Sequence, residues 1–166
     1  MRKIELISLD NKYETKRIFN EYLNELYKFD PTIEFDNNGE PIYNWFDYYW
    51  IEKERFPLSL NIDNKFAGLA LVRELGENKY EIAEFYILPE FRKDGNAMWF
   101  ASQILKSFKG DFVFSTRLEN LRAIKFWNKV ADSVGFSETE VEDGYKVWKI
   151  KQQKKVKKND VETKEK

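Results

Sequence analysis

The stretch EFYILPEFRKDGNA, residues 84–97, runs from a strand through a proline-stopped basic turn to a glycine that opens a helix. Pro89 removes a backbone donor and ends the strand. Beyond it Ala97, Met98, Ala101, Ile104, Leu105 and Phe108 recur at three- to four-residue spacing, predicting a helix from near Gly95 to Gly110. A helix N-terminus carries unpaired N–H groups and the positive end of the macrodipole, which suits phosphate. Gly95 lets a ligand approach the backbone with no Cβ in the way, and Arg92 and Lys93 add positive charge. Taken alone, the same residues also make an ordinary helix start with surface basic residues.

The strand leading into this turn, Tyr80 to Leu88, is irregular. Tyr80 and Ile82 fall on one parity, Phe85 and Ile87 on the other. A one-residue slip inside a strand is what a β-bulge produces, a feature common beside active sites; burial of both faces would also blur the pattern. Upstream, Phe56 to Ile62 and Phe66 to Val72 flank Asp63-Asn64 as a hairpin, and Gly76-Glu77-Asn78 makes the next turn. KIELIS, residues 3–8, reads as a first strand. Asn11 and Glu14 have capping-box spacing ahead of Ile18, Phe19, Tyr22, Leu23 and Leu26, predicting a helix over 12–28. Asp30-Pro31 and Asn37-Asn38-Gly39 mark a loop.

YNWFDYYWIEKE, residues 43–54, is helix-length and carries six aromatic rings, more than one inward stripe can hold. The rings serve either the core or a substrate cleft. Downstream, Phe112 to Phe114 is a strand. Asn120, Ala123, Trp127, Val130 and Val134 share one face of a helix over 119–133, and 136–142 with 145–150 flank Asp143-Gly144 as a hairpin. The expected order is β-α-α-β-β-β-α-β-α-β-β, a mixed α/β (α+β) domain over residues 1–150 with a bulged fourth strand.

The 166 residues contain no cysteine and no histidine. Those two zeros exclude a disulfide framework, a Cys or His zinc site, a thiol nucleophile and a Ser-His-Asp triad. Proton transfer falls to Asp, Glu, Lys, Tyr, the backbone or water. The net charge of −1 averages two unlike parts: a net of −5 over residues 1–150 and +4 over KQQKKVKKNDVETKEK, residues 151–166. That tail has almost nothing to bury and reads as a disordered extension. The other reading, a basic arm for nucleic acid or acidic lipid, is the less expected one. No apolar run approaches the length of a membrane span, and the first ten residues are no signal peptide. A soluble, cytoplasmic protein is expected, with neither membrane nor nucleic acid as partner.

Two motifs at matched spacing give the chain a family resemblance. Arg92, Gly95 and Ala97 fit (Gln/Arg)-x-x-Gly-x-(Gly/Ala). Asn120, Ala123, Phe126 and Trp127, followed by Gly135-Phe136, fit Asn-x-x-Ala-x-x-(Leu/Phe)-(Tyr/Trp) with its downstream Gly-Phe. With the element order, these residues make the chain similar to the GNAT superfamily of acyl-CoA-dependent N-acyltransferases over nearly its whole length. The resemblance implies acetyl-CoA as acyl donor and no metal. It implies pantetheine contacts from the backbone of Tyr86 and Ile87, and a pyrophosphate loop formed by Arg92, Lys93, Asp94, Gly95, Asn96 and Ala97. Asn120 would reach the pantetheine, with Ala123 and Phe126 packed beside it. The fourth and fifth strands would part at the bulge, admitting acyl-CoA from one side and an amine from the other.

Two positions depart from the pattern. Asp94 puts a carboxylate where phosphate is expected, and Trp127 stands where many members carry a tyrosine that protonates the departing thiolate. Tyr86, Tyr145 or water would take that role. For the base the choice is Glu84, acting directly or through water; its plainer reading is a solvent-facing strand glutamate, and Glu81 has a weaker claim. Asp30, Glu34, Asp36 and Asp47 could draw a cationic acceptor. The expected activity is transfer of an acetyl group from acetyl-CoA to a primary amine of a small molecule or peptide. The alternative is a non-catalytic acyl-CoA-binding or interaction module of the same fold. Edge strands of such a sheet would be available for a homodimer.

Overall fold

A computed structural model describes residues 1–135 and 137–151; Phe136 and, beyond Lys151, the expected charged extension lie outside the described residues. The strands are β1 (Arg2–Leu6), β2 (Arg55–Ile62), β3 (Lys65–Gly76), β4 (Lys79–Ile87), β5 (Asp111–Arg117), β6 (Ser137–Glu142) and β7 (Tyr145–Ile150). The helices are α1 (Lys12–Leu26), α2 (Asn96–Ser107) and α3 (Leu121–Val134). The strands form one sheet in the order β1-β2-β3-β4-β5-β7-β6. Every neighbouring pair is antiparallel except β4 and β5.

Strand alternation decides the two layers. Leu58, Leu60, Ala70, Val72, Ile82 and Ile87 face α2 and α3, packing with Phe100, Ile104, Trp127 and Val130. Leu69 and Leu71 face the other way and pack with Phe19 and Leu23 of α1 and with Phe46 and Tyr49. Burial of these apolar side chains on both faces is the main stabilising contribution. The turn residues Asp63-Asn64 and Asp143-Gly144 all have positive φ, between 51° and 86°, as a right-twisted two-residue hairpin requires.

The bulge is present. Leu71 pairs with Glu84 and Val72 with Ile82, so Ala83 is the extra residue on β4. It puts Tyr80, Ile82, Phe85 and Ile87 against the same core, which explains the slip in parity. The parallel pairing of β4 with β5 covers only Lys79–Asp111, Tyr80–Phe112 and Glu81–Val113. Beyond those pairs β5 continues along β7 to Arg117 while β4 goes on paired with β3 only. The two strands part at the bulge.

Two expectations fail locally. Residues 43–54 do not form an α-helix; they hold a single 3₁₀ turn, Phe46–Trp50. Tyr43, Phe46 and Tyr49 are the inward rings, and their spacing of three is the period of a 3₁₀ turn, whereas Trp45 and Tyr48 stay exposed. The capping box at Asn11 does not form either. A 3₁₀ turn, Leu9–Asn11, precedes α1; the Asn11 amide donates to Ser8 Oγ at 3.3 Å, and Glu14 pairs with Arg17. α1 also ends at Leu26, short of the expected 28.

Candidate active site

Two clefts open on either side of the parting strands. The first, about 680 Å³, is lined by Tyr86 and Ile87 from the end of β4, by Arg92, Lys93, Gly95, Asn96 and Ala97 from the turn and α2, and by Asn120, Ala123 and Phe126 from α3. The second, about 480 Å³, is lined by Glu81, Ala83 and Glu84 of β4, with Tyr22, Tyr43 and Tyr145. The three-residue step from Ala83 to Tyr86 thus separates them. Of the residues proposed from the sequence to hold a cofactor, all but Asp94 line the first cleft.

The start of α2 leaves backbone donors open to the first cleft. Gly95 sits in the left-handed region at φ 70°, and a Cβ there would meet nothing within 4 Å. The first bond closing the helix is Trp99 N–H to the Gly95 carbonyl at 3.0 Å. Ahead of it the N–H groups of Gly95, Ala97 and Met98 have no hydrogen-bond acceptor among the described residues. Asn96 is buried and donates its side-chain amide to the Phe91 carbonyl at 2.9 Å, which fixes the turn.

Asp94 is also left-handed, at φ 58°, and its carbonyl accepts from Arg2. Its side chain lines a separate groove with Met1, Arg2 and Trp99, away from the first cleft. Arg92 is not a free charge. Its Nε donates to the Ile87 carbonyl at 2.8 Å, and one outer nitrogen donates to both carboxylate oxygens of Glu25 at 2.9 and 3.1 Å. The guanidinium also lies over the Tyr86 ring. The positive charge the sequence suggested for Arg92 is therefore spent on joining α1 to the end of β4. Lys28, Lys93, Arg122, Lys125 and Lys129 line the cleft instead, and none of them is ion-paired among the described residues.

On α3, Asn120 caps the helix, its Oδ1 accepting from the Ala123 N–H at 3.1 Å. Trp127 is buried, its ring 4.3 Å from that of Phe114 and edge-on to Phe85. An indole so placed packs the floor of the cleft.

Glu84 is not the solvent-facing strand glutamate of its plainer reading. Its carboxyl accepts from the Tyr22 hydroxyl at 2.5 Å on Oε1 and from the Tyr43 hydroxyl at 3.0 Å on Oε2. Burial pushes its pKa up to about 7, and the two tyrosine hydrogen bonds hold it from rising further. Burial, then the nearby Glu84 charge, pushes both Tyr22 and Tyr43 well above the usual phenol range, so both remain donors. Tyr145, at the far wall, donates to Asp30 Oδ2 at 3.4 Å and lies under the Arg117 guanidinium. Tyr86 is raised by burial first and then by Glu25.

The four acids proposed to draw a cation are not gathered. Asp30 reaches this cleft through Tyr145, Asp36 accepts the backbone N–H groups of Asn38 and Glu40 in its own loop, and Asp47 pairs with Lys12. Tyr43 and Trp45, among the rings that the sequence offered to core or cleft, line this cleft, but the hold of Tyr43 on Glu84 was not foreseen, nor was Tyr22, which sits in the apolar stripe of a helix. A tyrosine in place of phenylalanine at such a position signals a hydroxyl needing a partner. The described residues contain no cluster of three or more potential metal ligands, and no helix among them is long and apolar enough to cross a membrane.

A mixed sheet that parts beside a bulge, with a glycine-opened helix on one side and a carboxyl on the other, is the arrangement that the two sequence motifs imply. The model of the acetyltransferase (GNAT) family matches residues 16–131, and the chain belongs to that family. It falls among the acetyl-CoA-using acetyltransferases at that general level.

Solved structures share the fold at low identity. The PaiA N-acetyltransferase of Thermoplasma acidophilum in complex with coenzyme A is 15% identical with a TM-score of 0.62, the match covering 91% of this chain and 99% of that one. A mutant of the spermidine N-acetyltransferase SpeG of Vibrio cholerae is 14% identical with a TM-score of 0.66, covering 95% and 99%. An Escherichia coli N-acetyltransferase of a ribosomal-protein alanine is 11% identical with a TM-score of 0.59, covering 92% and 95%. No curated protein matches the sequence.

Proposed function

We propose that the chain transfers an acetyl group from acetyl-CoA directly to a primary amine, with Glu84 as the base. The observation that carries this reading is the position of Glu84: a tyrosine-held carboxyl with a pKa near 7, one residue past the bulge that separates the two clefts. A base with that affinity is ionised at slightly alkaline pH yet still takes a proton. The open Gly95 and the unpaired N–H groups around it fit a pyrophosphate, and the lysines lining the same cleft fit further phosphate. The edge of β4 that β5 leaves uncovered at Tyr86 and Ile87 is where backbone groups could meet the pantetheine arm.

The thioester supplies an activated acyl carbon. The amine nitrogen bonds to that carbon, the carbon–sulfur bond breaks, and the nitrogen's proton passes to Glu84 or to a water it holds. Tyr86 lines the donor cleft and Tyr145 the acceptor cleft, so Tyr86 or water protonates the thiolate and Tyr145 contacts the acceptor. CoA bound in coenzyme complexes of the same fold is consistent with this assignment.

Thermal unfolding tests the donor site. Acetyl-CoA at about 100 times its dissociation constant stabilises by about 2.7 kcal/mol. Thiol release over a panel of amines then tests transfer. Stabilisation with no thiol release on any amine would favour the non-catalytic acyl-CoA-binding reading, and no stabilisation at millimolar ligand would remove both.

A further inference from the structure

We infer that the amine acceptor carries an anionic oxygen group, a carboxylate or a phosphate, which Arg55, Arg73 and Arg117 bind while the amine lies toward Glu84. The inference rests on the second cleft being the acceptor site. That cleft is lined by these three guanidinium groups and by only two carboxylates, Glu81 and Glu84. Each guanidinium has one carboxylate neighbour, Glu52 for Arg55, Glu81 for Arg73 and Glu119 for Arg117, so what the cleft offers a ligand is guanidinium donors left over from those contacts.

The arginines are set as a receptor and not as loose surface charges. Arg55 and Arg73 stand directly opposite each other on β2 and β3, and Arg73 stands opposite Glu81 on β4. Like charges placed across a strand pair are destabilising, and Glu52 and Glu81 offset this pair with one contact each, which keeps the two guanidinium groups side by side. Arg55 has only 14% of its side chain exposed and Arg117 only 21%. Each lies over aromatic rings, Arg55 over Trp45 and Tyr49 at 5.6 and 5.2 Å from the ring centres, Arg117 over Tyr145 at 5.2 Å. Ring contact fixes the faces of a guanidinium and leaves its edge donors for a planar oxyanion.

Those donors are under-used. Arg55 spends Nε on Glu52 at 2.8 Å and Arg73 spends Nε on Glu81 at 2.6 Å. Arg117 Nε is buried and makes no hydrogen bond among the described residues, its carboxylate neighbour being Glu119 Oε1 at 3.5 Å. The cleft, at about 480 Å³, is of a size that encloses a small molecule. An ω-amino acid or an aminoalkyl phosphate has the required chemistry: an amine at one end and an oxyanion at the other.

The test uses the full chain at pH 8 with acetyl-CoA and three sets of amines. These are ω-amino acids from glycine to 5-aminovalerate with 2-aminoethyl phosphate, the matching alkylamines, and the diamine putrescine with spermidine. The best anionic amine is expected to exceed its matched alkylamine at least tenfold in kcat/KM. Arg55→Gln and Arg117→Gln should each cut that ratio about tenfold, with Arg117→Lys keeping part of it. Carboxylate and phosphate acceptors are separated by which member leads. Highest turnover of putrescine or spermidine, or a ratio unchanged in both glutamine variants, would overturn the inference. A second arm needs no acetyl-CoA: N-acetyl-ω-amino acids at 10 mM should raise the Tm of the wild-type chain, N-acetylputrescine should not, and Arg117→Gln should lose the shift. Failure of acetyl-CoA to bind would count against the proposed transfer alone, and failure of every anionic product to shift Tm would count against the anion site.

Discussion

The Tyr22 hydroxyl donates to Glu84 Oε1 at 2.5 Å, joining the middle of α1 to the bulged strand across 62 residues of chain. Tyr43 completes the hold on the other oxygen at 3.0 Å. A carboxylate that burial alone would keep protonated is thereby brought into the range where it exchanges a proton near neutral pH.

Removing one donor should move that range. Tyr22→Phe takes away a hydrogen bond to the charged form of Glu84, a bond of a kind worth about 1.5–3 kcal/mol. The acid limb of the kcat/KM profile should therefore shift upward by about one to two pH units. A profile from pH 5.5 to 9.5 checks this, and an unmoved limb would take Glu84 out of the proton transfer.

Glu84 also opposes stability when ionised. Its pKa is about 7 in the folded chain against an ordinary 4.5, so the folded state holds that proton more tightly than the unfolded state. Its contribution to stability is full below pH 4.5 and is lost as pH rises through 7, about 3 kcal/mol in all. Glu84→Gln, which carries no charge at any pH, should raise Tm relative to wild type at pH 8 and change it little at pH 4.5. Calorimetry at the two values reads the difference, while turnover should fall at least a hundredfold.

Gly95 separates folding from ligand approach. At φ 70° an alanine costs about 1 kcal/mol in backbone strain, but its methyl would strike nothing in the protein. Gly95→Ala should therefore lower Tm by only a few degrees. Acetyl-CoA affinity should fall tenfold or more, as titration calorimetry would show, because in the proposed donor site the methyl would stand between the phosphate and the backbone.

Gly110 behaves in the opposite way. A Cβ there would lie 2.3 Å from the Asn78 carbonyl oxygen and 2.7 Å from its carbon, and that oxygen accepts from the Asp111 N–H at 2.9 Å. Gly110→Ala must push apart the start of the short parallel pairing of β4 and β5. It should cost about 1–3 kcal/mol in a urea titration, with acetyl-CoA affinity per folded molecule unchanged.

The sequence made the frame of this molecule readable because its signals are local. The alternation in β2 and β3, the helical repeats of Ala97 to Phe108 and Asn120 to Val134, and the Asp-Gly turn each fix an element from neighbours in the chain. Even the bulge showed in the mismatch between Ile82 and Phe85. The stretch 43–54 was misread because aromatic content suggested a helix while the packing of Tyr43, Phe46 and Tyr49 follows a period of three. The half of the site facing the second cleft was hidden for a different reason. Tyr22, Tyr43, Arg55, Arg73 and Arg117 meet Glu84 and Glu81 only through sheet order and the tilt of α1, and no spacing in the chain encodes that meeting. Arg92 shows the converse: its motif position was legible, and its engagement with Glu25, 67 residues away, was not.

The extra residue at Ala83 can be counted out without reversing the faces of β4. Once it is gone, Leu71 opposite Glu84 and Val72 opposite Ile82 become consecutive pairs of an ordinary ladder. Phe85 would keep its place against Phe100 and Phe126, and Glu84 its place beside Tyr22 and Tyr43. What the deletion takes away is the kink and the added twist that a bulge gives its strand. A chain lacking Ala83 should therefore still fold, with the change felt at the opening between β4 and β5.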